Sequence, residues 1–485
     1  VTSISFSAQL RRLADADPDR IAVTCGDETI SRSQLVSRAQ DLAVRLRDLG
    51  VRVGDMVTVA LPNSIDWYVA YAAIWRVGGI PEPVSPRLPD RELAAIVELA
   101  DPRVVIGVPD GSLPGRSTLP VGYRAPEHAE GAAELPDVVS PAWKAPTSGG
   151  STGRPKLIVS GDPALIDPDA EPAMLLGRDG TMVMPGPLYH NAPGSMTSMC
   201  LLAGGHIVLL PRFDAQATLE AVDAHRATVL YVVPTMMKRI WRLPEDVRAR
   251  YDMSSLRVVW HMAEPCPPWL KQVWLDWLGP ERIFELYGGT EGQTATIIRG
   301  DEWLAHHGSV GRVQPGSVQI TDEDGAELPP GQMGEIWLRS TTRDTPAYRY
   351  VGATARTRDG GWESLGDMGF LDAEGFLYLG DRSSDMILSG GANIYPAEIE
   401  AAIQEHPAVA SCAVIGLPDE DRGAVVHAIV EADPADVGVE ELLGFLRDRL
   451  VIYKLPRTVE FVDFALRDDA GKVRRSALRA ERLPG

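Results

Sequence analysis

Gly366–Glu400, GDMGFLDAEGFLYLGDRSSDMILSGGANIYPAEIE, is the stretch on which the reading of the fold turns. Asp367 and Arg382 flank a strand-turn-strand pattern over Gly369–Leu379, with Asp372–Gly375 as the turn. A carboxylate and a guanidinium so placed can converge on the diol of a ligand. Ser383–Ser384 interrupts the pattern, Met386–Ser389 reads as a short strand, and Gly390–Gly391 lets another molecule approach the backbone closely. Pro396 and Glu398 then open a helix. Taken alone, the stretch is a domain junction beside a polar pocket.

Upstream of it, helical and strand periods alternate twice. The first series runs from Ile30 to Val108: helix Ser31–Leu49, strand Met56–Leu61, helix Asn63–Val77, helix Asp90–Leu99 and strand Arg103–Val108. Pro109–Pro146 has no sustained period and reads as a long surface connection. The second series spans Thr181 to Leu286, with strands at Thr181–Met184, His206–Leu210, Val229–Val233, Leu256–Trp260 and Arg282–Leu286 between helices. The expected fold is α/β: a large N-terminal domain of two packed α/β sheets plus a small β subdomain over Gly308–Ser340. Downstream, helix, two strands, helix and strand between Ala397 and Val462 form a small α+β C-terminal domain, and about 100 residues suffice for its own core.

At 485 residues the chain is long enough for two or more domains and a deep pocket. The 47 basic and 67 acidic residues leave a net charge of −20 without any basic run, which argues against nucleic acid or an anionic membrane as partner. Cys25, Cys200, Cys266 and Cys412 have no paired spacing for zinc or a disulfide framework. They read as buried or idle thiols in a reducing compartment. With no membrane-length apolar run and no signal-peptide layout, a cytoplasmic setting is expected.

Three further segments carry chemistry. Thr147–Lys156, TSGGSTGRPK, can turn backbone N–H groups and hydroxyls toward phosphate, with Lys156 as counter-charge. It is not a Walker A loop, because Arg154-Pro155 follows Gly153. By composition it also fits a flexible linker. Tyr287–Gly292, YGGTEG, follows a buried strand: Tyr287 offers a face to a base, Thr290 a hydroxyl to phosphate, Glu291 a hard oxygen to magnesium. Alone, it is equally a turn. Gly471-Lys472 places one of only six lysines in a glycine context near the C-terminus, where a solvated loop lysine is the bland alternative.

These segments, together with GEIW at Gly334 and DR…GGANIYPAEIE at Asp381, occur in the order and approximate spacing of the adenylate-forming superfamily, which the chain resembles over essentially its whole length. WHMAEPCPPWLKQVWLDWLGPERI is similar to acyl-CoA ligases acting on steroid, bile-acid-type and other bulky acids. The resemblance implies two steps: a carboxylate attacks the α-phosphorus of Mg-ATP, giving acyl-adenylate and pyrophosphate, and coenzyme A then displaces AMP. It implies that Ser148, Ser151, Thr152, Gly153 and Lys156 hold the distal phosphates. Ala263, Glu264, Pro265 and Tyr287 would line adenine, Thr290 would contact the α-phosphate, and Glu291 would bind magnesium. Asp367 and Arg382 would hold the ribose, and Lys472 would bridge carboxylate and α-phosphate. Residues 1–382 would form the domain binding ATP and acid, and residues 383–485 a mobile domain turning about Ser384, where relatives usually carry Asp or Lys. Gly390 and Gly391 would border the pantetheine channel. Gly149 replaces the commoner serine of the phosphate loop.

The resemblance also places His190 at the pocket mouth as a gate. Between Thr181 and Leu210 there is no carboxylate to receive an α-ammonium, so an amino acid is not expected. Gly289 stands where Met or Ser is common, which should widen the acyl pocket, lined by Trp260, Met262, Met236 and Met237. Core packing explains the Met and Trp residues equally well. The expected substrate is a large hydrophobic acid, polycyclic rather than linear. The alternative is an adenylating enzyme that passes its acyl group to a carrier thiol or an amine in trans. Expected partners are the acid, ATP and CoA, with neither nucleic acid nor a membrane span. Pairing as a homodimer is left open.

Overall fold

The computed structural model describes residues 3–126, 135–149, 155–313, 315–343, 345–380, 385–389, 392–419, 422–468 and 471–483. A 15-stranded sheet forms its spine. Five neighbouring pairings are parallel, through Ile21–Cys25, His206–Leu209, Thr181–Met184, Val229–Val232, Val258–Met262 and Ile283–Gly288. The central ones, from His206–Leu209 to Val258–Met262, are buried apolar runs, as a parallel sheet covered on both faces requires. The direction reverses at Ala295–Arg299, and Ser309–Val313 carries the sheet on to Leu377–Leu379 and Met368–Leu371. The strands expected as a β subdomain are therefore the antiparallel end of the same sheet, because Ser309–Val313 pairs on both of its edges.

The first α/β series builds a separate four-stranded parallel sheet, Ile80–Pro83, Met56–Val59, Val104–Ile106 and Ser117–Leu119. Its last strand lies inside the segment expected to be irregular. Three residues, Ser117-Thr118-Leu119, are too few to show a period. A third sheet, Thr147–Gly149, Pro155–Ser160 and Tyr348–Val351, holds the glycine-rich loop.

Local chemistry explains the helices between the strands. Ser31 and Gln34 close a capping box at the start of Arg32–Asp48, and Arg45 and Arg47 sit in its last turn, where cations suit the helix dipole. Ile65–Arg76 is buried on every side, with Trp67 stacked on Tyr71 at 3.7 Å. Prolines open Pro234–Trp241, Pro268–Leu278 and Pro396–Gln404.

The C-terminal part has its own core of Ile399, Ile403, Cys412, Val414, Ala428, Val430, Leu442 and Leu446. It lies around Ser411–Asp419, Gly423–Glu431 and Thr458–Val462. It touches the larger part through Arg242, which donates to the carbonyls of Pro407 and Val409 at 3.1 and 2.7 Å, and through Arg474 with Glu92 at 3.5 Å. The four cysteines are free, and burial pushes the thiols of Cys200 and Cys412 up to about 12. Among the described residues no helix is long and apolar enough to cross a membrane.

Candidate active site

The glycine-rich segment is a hairpin. Thr147–Gly149 pairs antiparallel with Pro155–Ser160, Thr147 opposite Leu157 and Ser148 opposite Lys156. Its tip, with Ser151, Thr152 and Gly153, lies outside the described residues, as do Arg382, Ser384, Gly390 and Gly391. Lys156, at the start of the return strand, reaches Glu291 at 3.3 Å and donates to the Tyr350 hydroxyl at 2.9 Å. The Tyr350 hydroxyl in turn donates to Glu291 at 2.5 Å, and the ammonium lies 4.0 Å from the Tyr350 ring centre. Tyr350 comes from Tyr348–Val351 on the far side of Pro155–Ser160. No sequence motif singles it out. Only the pairing of two strands nearly 200 positions apart brings it to the lysine.

Glu291 follows the strand Ile283–Gly288, at the end where such sheets place ligands. Its carboxylate is nearly buried and faces the cation Lys156. Among the described residues no group of three or more His, Cys, Asp or Glu side chains could hold a metal by itself. One carboxylate suits magnesium, which takes one or two carboxylates and otherwise phosphate oxygens and water. On the same strand end, Tyr287 donates through its hydroxyl to Asp367 at 2.8 Å. Two residues far apart in sequence, one expected at adenine and the other at ribose, thus stand side by side. Thr290 is half-buried in the turn between them and Glu291.

Ala263–Pro265 follows the adjacent strand Val258–Met262. Ala263 has φ +74°, an uncommon backbone for a residue with a Cβ, at the point where the chain turns off the sheet. The turn sends Glu264 inward, where Thr235 donates to it at 2.9 Å. Burial pushes its carboxyl up to about 7, with Arg467 pulling the other way. Gly471 packs directly on this carboxyl: a Cβ added to Gly471 would fall on the Glu264 side chain. Lys472 follows at once, exposed, in a turn fastened by Asp468, whose carboxylate accepts from the Lys472 N–H at 2.9 Å. The C-terminal loop therefore sits against Ala263–Pro265, the segment expected to line adenine. Beneath that segment, His261, Lys271 and Glu285 form a buried cluster in which Lys271 is bonded to Glu285. Burial pushes His261 down to about 4, so it is neutral.

His190 caps the helix Asn191–Leu202, its carbonyl accepting from Gly194 N–H at 3.1 Å, with the Tyr189 ring 4.5 Å away. The first turn of that helix receives Lys144, which donates to Asn191 at 2.5 Å and Ser195 at 2.7 Å. Burial pushes this lysine down to about 7, and the sequence carries no signal for it. Trp260, Met236 and Met262 are buried, but the Trp260 indole N–H is bound to the Met174 carbonyl at 2.8 Å and the ring packs on Phe284. Gly289 does not widen a cavity as expected. The place of its missing side chain is taken by Leu365 and Glu291, because the segment leading into Asp367 folds across it.

Residues 10–343 match the family model described as AMP-binding enzyme, and residues 398–472 match the AMP-binding enzyme C-terminal domain. The chain is 32% identical to a feruloyl-CoA synthase from Amycolatopsis sp, over 96% of this chain and 97% of that protein. It is 31% identical to a methyl-dioxo-octahydroindenyl-propanoyl:CoA ligase from Rhodococcus jostii (strain RHA1), over 98% of each. Among solved structures, o-succinylbenzoate CoA synthetase from Bacillus subtilis, in complex with its acyl-adenylate intermediate, superposes with a TM-score of 0.81 at 26% identity, covering 100% of both chains.

Proposed function

The chain belongs to the AMP-binding enzyme family, and on that premise we propose that it is an ATP-dependent acyl-CoA synthetase for a bulky hydrophobic carboxylic acid. The observation that carries this reading is the contact between Gly471 and Glu264, which sets the Lys472 turn against the segment proposed to line adenine.

In this reading the hairpin hydroxyls and N–H groups of Ser148, Ser151, Thr152 and Gly153 hold the β- and γ-phosphates, and Lys156 neutralises them. Lys156 is already directed by Tyr350 and Glu291. Tyr287 and Ala263–Pro265 flank the base, Asp367 and Arg382 the ribose, and Thr290 the α-phosphate. Glu291 would hold magnesium, which when bound to the triphosphate offsets its charge and polarises the phosphoryl oxygens. Lys472 places an ammonium where the acid oxygen meets the α-phosphorus. Preorganised charge at that point is usually the largest single contribution to such a reaction. Pyrophosphate leaves, the acyl-adenylate remains, and the thiol of CoA attacks its carbonyl with AMP as leaving group.

The second step needs the Lys472 loop withdrawn and a thiol admitted. We assign residues 383–485 as the unit that turns, about Ser384, with Gly390 and Gly391 beside the incoming pantetheine and His190 at the mouth of the acyl pocket. The bulky, ring-containing acid is supported by the similarity to a ligase of a fused-ring propanoate. Mg-ATP and CoA as co-substrates suit a cytoplasmic setting.

The test is ATP–pyrophosphate exchange across linear, aromatic, polycyclic and steroid-type acids, followed by acyl transfer to CoA, a carrier protein or an amine. Exchange greatest with a polycyclic acid, and thioester formation at micromolar CoA, are expected. Exchange with short linear acids alone would refute the substrate class. Transfer only to amine or carrier would refute the acceptor.

A further inference from the structure

Glu82 lies in the strand Ile80–Pro83, directly opposite Thr58 in the parallel register with Met56–Val59. It is fully buried, and among the described residues no Lys or Arg forms an ion pair with it. Its two oxygens accept from two hydroxyls: Thr58 at 2.6 Å and Thr147 at 2.5 Å. Thr58 belongs to the same four-stranded sheet, whereas Thr147 is the first residue of the glycine-rich hairpin in a different sheet. An acid side chain in an apolar interior is expensive unless its oxygens are satisfied. Here satisfaction comes from a bond that crosses between sheets.

Three further bonds involve the same short stretch. The Ala145 N–H donates to the Pro81 carbonyl at 2.9 Å, one residue before Glu82, and Lys144 is held by Asn191 and Ser195. The stem of the hairpin is thus pinned to the rigid four-stranded sheet at Ala145 and Thr147. Lys156 leaves the tip on the other limb, one residue from the pair Thr147–Leu157.

We propose that Glu82 is the positioning residue of the phosphate-binding hairpin, fixing its stem through Thr147 so that Lys156, on the paired strand, is held in place for the nucleotide phosphates. The proposal rests on the reading of that loop as the phosphate site. Pre-organisation of this kind acts on ATP affinity and leaves the acid's binding alone. Burial without a cation pushes the Glu82 carboxyl up to about 8, so near neutrality it is the uncharged acid. One of its two bonds then runs the other way, the acid O–H donating to a threonine oxygen. The titratable group facing it is the Tyr71 hydroxyl on the helix Ile65–Arg76, itself held protonated by burial. Both threonine bonds favour the ionised form, so as pH rises through about 8 the two hydroxyls donate to a carboxylate and the bridge persists. A glutamine keeps the neutral bridge at every pH.

The experiment is ATP–pyrophosphate exchange with one accepted acid, measuring KM for ATP, KM for the acid and kcat from pH 6 to 9, for Glu82→Gln, Glu82→Leu, Thr147→Val, Thr58→Val and Lys156→Ala. Glu82→Leu and Thr147→Val are expected to raise KM for ATP about tenfold, the effect of one well-made buried hydrogen bond, with KM for the acid within about twofold. Thr58→Val, which leaves the link to Thr147 intact, is expected to leave KM for ATP unchanged. Glu82→Gln, which can still accept from one threonine and donate to the other, should match the parent enzyme at neutral pH. If Glu82→Leu does not fold, the contrast between Thr147→Val and Thr58→Val decides. Equal effects of those two, or a Glu82→Leu effect spread over both substrates, would overturn the proposal. Lys156→Ala separates it from its premise: an unchanged KM for ATP there removes both, whereas a raised one with a silent Thr147→Val removes the Glu82 assignment alone.

Discussion

Replacing Gly471 by alanine puts a methyl group where the Glu264 carboxyl already stands. Two costs must be separated. Gly471 has φ +78°, and an L-residue held there costs about 1–2 kcal/mol, a cost common to both half-reactions when the turn fastened by Asp468 moves as a unit. This cost lowers overall stability and cancels from the comparison of the two half-reactions. The overlap with Glu264 exists only when the Lys472 loop is docked. To make room, Glu264 must give up its bond from Thr235, worth roughly 0.5–1.5 kcal/mol for a neutral acid and about 1.5–3 kcal/mol for a carboxylate. At about 1.4 kcal/mol per factor of ten, the docked population falls by roughly tenfold to a hundredfold for the ionised form. The assay follows pyrophosphate release in a single turnover for the first step, and thioester formation from synthetic acyl-adenylate and CoA for the second. The first should slow by that factor and the second should hold. In a Glu264→Ala background, where the space is free, the same substitution should cost the first step little more. Equal slowing of both steps, or an undiminished penalty in that background, would refute the reasoning.

Lys472→Ala should slow adenylation by on the order of 10²–10³ or more while thioester formation from supplied adenylate persists; loss of both in proportion would reassign the lysine. Tyr350→Phe removes the hydroxyl between Lys156 and Glu291 and should raise KM for Mg-ATP about threefold to tenfold with KM for the acid unchanged, read by steady-state exchange. Lys271→Met leaves Glu285 buried without its cation and should cost about 3–5 kcal/mol in urea unfolding; adding Glu285→Leu should recover most of it, and a double variant no better than the single would show that the pair itself is not the cause. His261 is held neutral, its value pushed down to about 4 by burial, with Lys271 adding to that and Glu285 opposing it. Its contribution to stability is present above the ordinary histidine value near 6.5 and is lost as pH falls through the window down to about 4, so His261→Phe should flatten the acid side of a stability profile.

Much of the architecture is legible along the chain because the signals are local. Proline at the first turn and an apolar face set Pro268–Leu278, and a run of β-branched and aromatic residues sets Thr458–Val462. Turn residues Asp372–Gly375 fold Met368–Leu371 onto Leu377–Leu379. Glycines and hydroxyls over Thr147–Lys156 announce a loop able to face phosphate, because that property belongs to the backbone and needs no distant partner. Asp367, Tyr287, Glu291 and Lys472 are likewise visible in short motifs.

What the one-dimensional record could not decide is which side chains meet. Tyr350 joins Lys156 and Glu291 only because two strands nearly 200 residues apart pair edge to edge. Glu82 reaches Thr147 only because two sheets pack at the hairpin stem. The room expected beside Gly289 is closed by Leu365, and the glycine of the Gly471-Lys472 pair matters through Glu264, a residue of the other part of the chain. Periodicity and composition report on neighbours within a few residues. Contact between distant segments depends on the packing of whole sheets, and only the tertiary structure decides it.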